Sequence, residues 1–342
     1  MRSIAVLGGG GFLGSHFVRG LLQQTNLEVE VVDTCFTKLE SAPLPRAARL
    51  TRACVTQQGL IERVVEEHET IVSMTAICTP ANYNKEPLAV IDASYTDLVP
   101  LVQRCSEKKR YLIHLSTCEV YGKAESEALN ETSSPLLLGP IPAERWSYAC
   151  AKQLLERVIW AHMTHHGLEA TIIRPFNVIG PQMDYLPGFD GEGTPRVLAN
   201  FMHALLCGEA LPLVDGGAQR RAFLYVDDFT EALLGLLRCP EARGEIINLG
   251  NPENDISIAE LAAQMIAAYS KHQGPKASTP ELVSADSFYG AGYDDVKRRV
   301  PDIHKASALL QWRPSTSLEA MLPAIIDDYV SRYAGKARGA AT

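Results

Sequence analysis

Short apolar runs alternate with amphipathic stretches through the first half of the chain. Ile4-Ala5-Val6-Leu7 and residues 28–32, 49–55, 70–74, 111–115 and 170–173 read as strands. Their near-continuous hydrophobicity is that of strands buried on both faces of a parallel sheet. Between them, residues 15–24, 60–67, 87–108 and 146–166 predict helices, the last stopped by Gly167. This βαβα order predicts a doubly wound parallel sheet with right-handed crossovers. The second half is more broken. A loop rich in proline and glycine spans 181–195, and helices follow at 196–206 and 227–237. Residues 246–249 read as a strand returning to the main sheet, and 257–269 and 318–333 as later helices. The pattern divides the chain into an α/β domain of residues 1–175 and 222–251, a smaller α/β lobe of residues 176–221 and 252–334, and a disordered tail from 335 to 342.

Composition narrows the class. The 342 residues are 46% hydrophobic and 21% charged, ordinary for a soluble globular enzyme. The net charge of −8 argues against nonspecific nucleic-acid binding. Eight cysteines without CxxC spacing read as reduced thiols in the cytoplasm. No apolar run approaches membrane-spanning length, and Met1-Arg2-Ser3 runs into the first strand without a signal segment. His162 and His166 have helical ligand spacing but read as solvated helix-end residues, and no metal site is expected.

The first strand runs into Gly8-Gly9-Gly10-Gly11-Phe12-Leu13-Gly14 and then a helix. Glycines at 8, 11 and 14 permit a tight turn and bring backbone N–H groups to a pyrophosphate at the helix N-terminus. The second strand ends in Asp33, where a carboxylate holds an adenosine ribose 2′-OH. A 2′-phosphate would be repelled there, so the pattern favours NAD over NADP. Thr34, Phe36 and Lys38 do not form an arginine pocket. The fold is thus read as Rossmann-type. Ligands of such sheets bind beyond the strand carboxyl ends, which gathers Thr75, Ala76, Ser116 and Arg174 with the glycine loop.

Tyr148 and Lys152 lie four apart on one helical face. An ammonium beside a phenol favours phenolate. A base useful near pH 7 needs a shift of about 3 units from 10, or about 4 kcal/mol. With Ser116-Thr117 at a strand end, the pair suits proton removal from a sugar hydroxyl as hydride leaves for a nicotinamide ring.

The glycine loop, Ser116-Thr117, Tyr148 and Lys152 together resemble the extended short-chain dehydrogenase/reductases that act on nucleotide sugars. The resemblance covers nearly the whole chain, including Arg174-Pro175-Phe176-Asn177, Asp215-Gly216-Gly217 and Asn248-Leu249-Gly250-Asn251. Arg145-Trp146-Ser147-Tyr148 and the stretch from Phe288 to Arg299 resemble UDP-glucuronate decarboxylases. Ile77-Cys78-Thr79-Pro80-Ala81-Asn82-Tyr83-Asn84 and Ser116-Thr117-Cys118-Glu119-Val120-Tyr121-Gly122 are more similar to bifunctional UDP-apiose/UDP-xylose synthases. The simple decarboxylases generally carry serine where Cys118 stands and lack the thiol at Cys78. The chain departs from the family at Cys54-Val55-Thr56, where an acidic residue often lies near the adenine, and its segment 123–140 is shorter.

The resemblance implies NAD-dependent conversion of UDP-glucuronate to UDP-apiose and UDP-xylose, the alternatives being decarboxylation to UDP-xylose or a UDP-4-keto-pentose alone, or another nucleotide-sugar epimerase/dehydratase activity. It also implies roles for particular residues. Tyr148 and Lys152 perform the proton chemistry with Thr117. Arg299 anchors the sugar carboxylate, and Glu119 is an acid/base candidate for proton transfer at C5. Cys78 and Cys118 enable ring contraction. Tyr83, Arg145 and Asp295 contact the sugar. Asn177, Arg196, Gln219, Arg221, Tyr289 and Tyr293 grip UDP. It also implies a homodimer built on the helices at 87–108 and 146–166.

Overall fold

The computed structural model describes residues 2–191, 194–274, 278–289 and 294–339, the side chains of 81, 289 and 336–339 excepted. Six strands of the main sheet come in chain order: β1 (Ser3–Leu7), β2 (Glu28–Asp33), β3 (Arg49–Arg52), β4 (Thr70–Ser73), β5 (Tyr111–Leu115) and β6 (Ala170–Pro175). The seventh is Ile246–Leu249. All pair in parallel, with β2 and β3 on one side of β1, and β4, β5, β6 and Ile246–Leu249 on the other. The expected Rossmann-type order is therefore present, with the returning strand at the edge.

Alternation along each strand builds a core on both faces. Ile4, Val6, Val31 and Val72 face one layer, which includes Phe17 and Leu21 of helix α1 (Phe12–Gln24). Ala5, Leu7, Val32 and Ile71 face the other, with Val64 and Leu101. After α1 come α2 (Thr37–Glu40), α3 (Leu60–Glu67), α4 (Pro80–Lys85), α5 (Pro87–Ser94), α6 (Val99–Lys108) and α7 (Ser147–His166). Gly20 lets α1 approach the helix Val226–Leu236, since a Cβ there would meet Thr230 at 2.8 Å.

Two expectations need correction. The single helix expected at 87–108 is two, α5 and α6, joined through a 3₁₀ turn at Thr96–Leu98. Pro100, at the start of α6, has no N–H to continue a helical ladder from the preceding turn. The last helix, Leu318–Gly339, runs past the point where the sequence reads as a disordered tail; residues 340–342 lie outside the described residues.

Short pairings join the remaining segments. Arg220–Ala222 pairs with Asp255–Ser257 and Arg298–Arg299, and Leu211–Val214 with Pro280–Val283. This brings residues near 220 and 299 to the carboxyl edge of the main sheet.

Candidate active site

The strand ends open into one cavity of about 300 Å³. Its wall runs from Phe12 and Leu13 through Ala76, Thr117, Tyr148 and Lys152 to Arg196, Gln219 and Arg221. At one end, β1 passes into the glycine loop. Gly8 has φ +81°, and a Cβ there would stand 2.8 Å from the Met74 carbonyl carbon. A Cβ on Gly14 would lie 2.4 Å from the Gly8 carbonyl oxygen. Gly11 is different, because its nearest neighbour is that same oxygen at 3.4 Å. The protein itself does not require glycine there. The missing side chain instead leaves the α1 N-terminus, which has no side-chain cap, open to an anion. Asp33 Oδ2 accepts from the Gly10 N–H at 2.9 Å and fixes the loop against the end of β2. Thr75 Oγ1 and Ser116 Oγ are buried without a partner among the described residues. An open helix end, a glycine cradle, a ribose-side carboxylate and two orphaned hydroxyls fit a dinucleotide.

Arg174 does not belong to this set. Its guanidinium is buried, with Nε and Nη2 donating to Glu156 at 3.0 and 2.6 Å and Nη1 donating to Tyr121 Oη at 2.9 Å. It ties β6 to α7 as a structural ion pair and is absent from the cavity wall. Its strand-end position does not reveal Glu156, which sits one helical turn beyond Lys152.

Tyr148 and Lys152 both reach the cavity, as their spacing on α7 predicts. The Tyr148 ring stacks on Tyr83, with centroids 4.9 Å apart and planes 12° from parallel. Lys152 Nζ donates to the Leu115 carbonyl at 2.9 Å, and burial lowers its pKa to about 8. The expected phenolate is not favoured in the ligand-free chain. Burial pushes the Tyr148 phenol well above 10.0, and Cys78, Glu119 and Cys118 add to the rise, while a bond to the Thr117 hydroxyl opposes it. Helical spacing places the ammonium near the phenol but says nothing of burial, which dominates here.

Beyond Tyr148 lies a chain of charges. Glu119 accepts from Arg299 through both oxygens, the Nη2–Oε2 distance being 2.9 Å, and from Arg145 Nη1 at 2.8 Å. Burial would raise the Glu119 pKa, but the two guanidiniums hold it well below the usual carboxylate range. Glu119 is therefore held as an anion in the ligand-free chain, a state that can accept a proton but has none to give. Arg145 continues to Asp295 Oδ1 at 3.3 Å, and Asp295 takes Arg221 Nη2 at 2.8 and 2.9 Å. Arg299 Nε is buried without a partner among the described residues.

Cys78, which is exposed, and Cys118, which is buried, line the same cavity as Tyr148; Cys150 is exposed and not part of its wall. Burial pushes the Cys118 thiol up; Arg299, Arg221 and the Asn177 backbone N–H pull the other way without reversing it. On the far side, Arg196 Nε and Nη2 donate to Asp184 at 2.9 and 3.0 Å. Asn177, at a left-handed φ of +38°, donates its Nδ2 to the Ala222 carbonyl. Gln219 completes this wall. Tyr293 lies outside the described residues, as does the side chain of Tyr289. Sequence reading misses Asp184, an acid in an irregular loop with no periodic or spacing signal.

The chain matches the NAD dependent epimerase/dehydratase family over residues 4–250. It is 41% identical over 358 residues to UDP-D-apiose/UDP-D-xylose synthase 2 of Arabidopsis thaliana, covering 97% of this chain and 92% of the relative. It is 42% identical over 346 residues to the UDP-D-apiose/UDP-D-xylose synthase of Oryza sativa subsp. japonica, covering 94% and 87%. Among solved structures, the PbgP3 protein from Burkholderia pseudomallei is 33% identical with a TM-score of 0.85, covering 98% of each chain. A variant of the UDP-glucuronic acid 4-epimerase from Bacillus cereus, in complex with UDP-4-deoxy-4-fluoro-glucuronic acid and NAD, is 25% identical with a TM-score of 0.81. That match covers 97% of this chain and 100% of the other.

Proposed function

Because the chain belongs to the NAD-dependent epimerase/dehydratase family, we propose that it oxidises and decarboxylates UDP-glucuronate and re-reduces the product, contracting the ring in part of it. UDP-apiose and UDP-xylose both result, the activity for which its Arabidopsis and rice relatives are named. One observation carries the reading: Tyr148, Cys78, Cys118 and Arg299 all line a single cavity. A proton acceptor for a sugar hydroxyl, two thiols and a carboxylate-binding guanidinium are what this reaction needs together.

Gly8, Gly11, Phe12, Leu13, Gly14, Asp33, Thr75 and Ala76 hold the dinucleotide, with Lys152 at the nicotinamide ribose. Bound NAD⁺ supplies reversible hydride storage. Tyr148 takes the O4 proton, with Thr117 holding that hydroxyl. The Tyr148 phenol, raised by burial, would ionise more readily with the positive charge of the bound cofactor to oppose that rise. The resulting 4-ketone makes the sugar a β-keto acid, which loses CO₂ through an enolate. Arg299 anchors the carboxylate before it leaves, sharing its guanidinium with Glu119. A proton returned to C5 and reduction of the ketone give UDP-xylose.

For UDP-apiose, the C2–C3 bond cleaves, leaving C2 as an aldehyde; C4 then bonds to C2, so the ring recloses with C3 outside it, as an aldehyde that is then reduced. This route moves protons at the C2 and C3 hydroxyls. Cys118, kept a thiol by burial, is suited to hold and donate such a proton, with Cys78 across the same cavity. Arg196, Arg221, Asn177 and Gln219 grip UDP. The arginine forks match diphosphate oxygens, and Asp184 and Asp295 hold them in place beforehand.

Incubation with UDP-glucuronate and NAD⁺, followed by CO₂ detection and NMR of the nucleotide sugars, tests the proposal. Both pentose nucleotides are expected. CO₂ release with UDP-xylose or a 4-keto pentose alone would reduce the activity to decarboxylation, and no CO₂ would reject the substrate.

The same reading includes a homodimer. Leu88 on α5 and Leu154 and Trp160 on α7 are 75%, 44% and 48% exposed, an apolar surface on neighbouring helices suited to a second copy. Sedimentation should give a dimer that Trp160→Glu dissociates; an unchanged mass would move the interface elsewhere. No helix among the described residues is long and apolar enough to cross a membrane. None of the eight cysteines forms a disulfide, which suits the reducing cytoplasm.

A further inference from the structure

The neighbourhood of Asp33 holds a cation that the run of residues after β2 does not reveal. Asp33 pairs in register with Arg52 on the adjacent strand β3. The Arg52 guanidinium donates to the carbonyl of Thr34, the residue after Asp33, at 3.0 Å. It also lies 5.2 Å from the centroid of the Phe36 ring. Its acidic neighbour is Glu40 at 3.8 Å, and both side chains are 60% exposed, so this pair binds it weakly.

Lys38 is the nearest cation in sequence, yet it faces elsewhere. Its Nζ donates to the Gln182 carbonyl, with Asp184 and Asp328 nearby. Asp33 is also fixed, taking the Gly10 N–H on Oδ2 and the Cys35 N–H on Oδ1. An acid at this strand end holds the ribose 2′-OH in folds of this type, and an arginine nearby accommodates a 2′-phosphate. Here both stand side by side.

We propose that Arg52 is a cofactor-specificity residue, positioned to receive the 2′-phosphate of NADP, and that the charge on Asp33 keeps it idle. A phosphate on the ribose would meet the Asp33 carboxylate and be repelled. With that charge removed, the same phosphate would meet a planar guanidinium able to form paired hydrogen bonds. The site would then take either dinucleotide without a new cation being introduced.

Calorimetric titration of the full chain with 2′,5′-ADP and with 5′-ADP tests this independently of turnover. The proteins compared are the wild type, Asp33→Asn, Arg52→Ala and the double variant. Asparagine keeps an oxygen for the Gly10 N–H while removing the charge. Asp33→Asn should raise affinity for 2′,5′-ADP on the order of tenfold, and adding Arg52→Ala should cancel the gain. An Asp33→Asn gain that survives Arg52→Ala would overturn the proposal, as would no gain at all in a folded protein. Comparing wild type with Arg52→Ala repeats the test without touching the loop. With Asp33 charged the arginine is idle, so equal 2′,5′-ADP binding in the two proteins supports the assignment, and clearly weaker binding in the variant overturns it.

Discussion

Arg299 and Glu119 face each other as a two-pronged ion pair at the edge of the cavity, 180 residues apart in the chain. The pair is an internal substitute for the contact that Arg299 would make with a sugar carboxylate. Its strength sets what that contact must compete with.

Glu119→Gln should destabilise the fold by about 3 kcal/mol, because the buried Arg299 would lose its anion while the neighbouring Arg145 would keep Asp295. The loss should depend on pH in a defined direction. The folded-state pKa of Glu119 lies below the ordinary 4.5. The stabilisation is therefore complete above 4.5, fades as pH falls below it, and is gone once pH has passed the lower, folded value. Denaturant titrations of both proteins should converge only in strong acid; convergence near neutrality would show that the pair is not formed.

Tyr148 should remain protonated in the ligand-free chain at pH 10.0, since burial and neighbouring groups raise it further. The near-ultraviolet tyrosinate signal of wild type and Tyr148→Phe should coincide up to that pH. Adding NAD⁺ should separate the two curves at lower pH by bringing a positive charge beside the phenol. An early tyrosinate in the absence of ligand would contradict the burial argument.

Arg174→Ala should cost about 3 to 5 kcal/mol of stability, because Glu156 loses the partner that neutralises it. In folded protein at low temperature, NAD affinity should change far less than it does for Asp33→Ala. The reverse pattern in paired melting and binding measurements would return Arg174 to the cofactor site.

Much of this is legible in the chain because it is local. The run Ile4-Ala5-Val6-Leu7, the glycine spacing and the four-residue step from Tyr148 to Lys152 fix strand, loop and helix face without reference to distant residues. The apolar run at Ile246–Leu249 is enough to place it in the main sheet. What is not legible depends on lateral neighbours. The Asp33–Arg52 register, the Glu156 partner of Arg174 and the Asp184 partner of Arg196 join segments whose spacing in sequence carries no periodicity. The phenol of Tyr148 illustrates the same limit, since its proton affinity is set by how deeply the folded chain buries it. The break at Tyr95–Leu98 is different, because a local signal, Pro100, marks it in the sequence.

Cys118→Ser should leave UDP-xylose formation largely intact and lower the apiose share several-fold, because a hydroxyl donates its proton far less readily than a thiol. NMR of the product mixture reads the ratio. An unchanged ratio would remove the thiol from the ring-contraction step.

Ring contraction is tested most sharply by following one carbon. UDP-glucuronate labelled with carbon-13 at C3 is incubated with the enzyme and NAD⁺, and the labelled products are assigned by NMR. Contraction places the label on the exocyclic hydroxymethyl carbon of UDP-apiose and on ring C3 of UDP-xylose. Label confined to a ring position in every product would contradict it, because no ring would then have opened between C2 and C3.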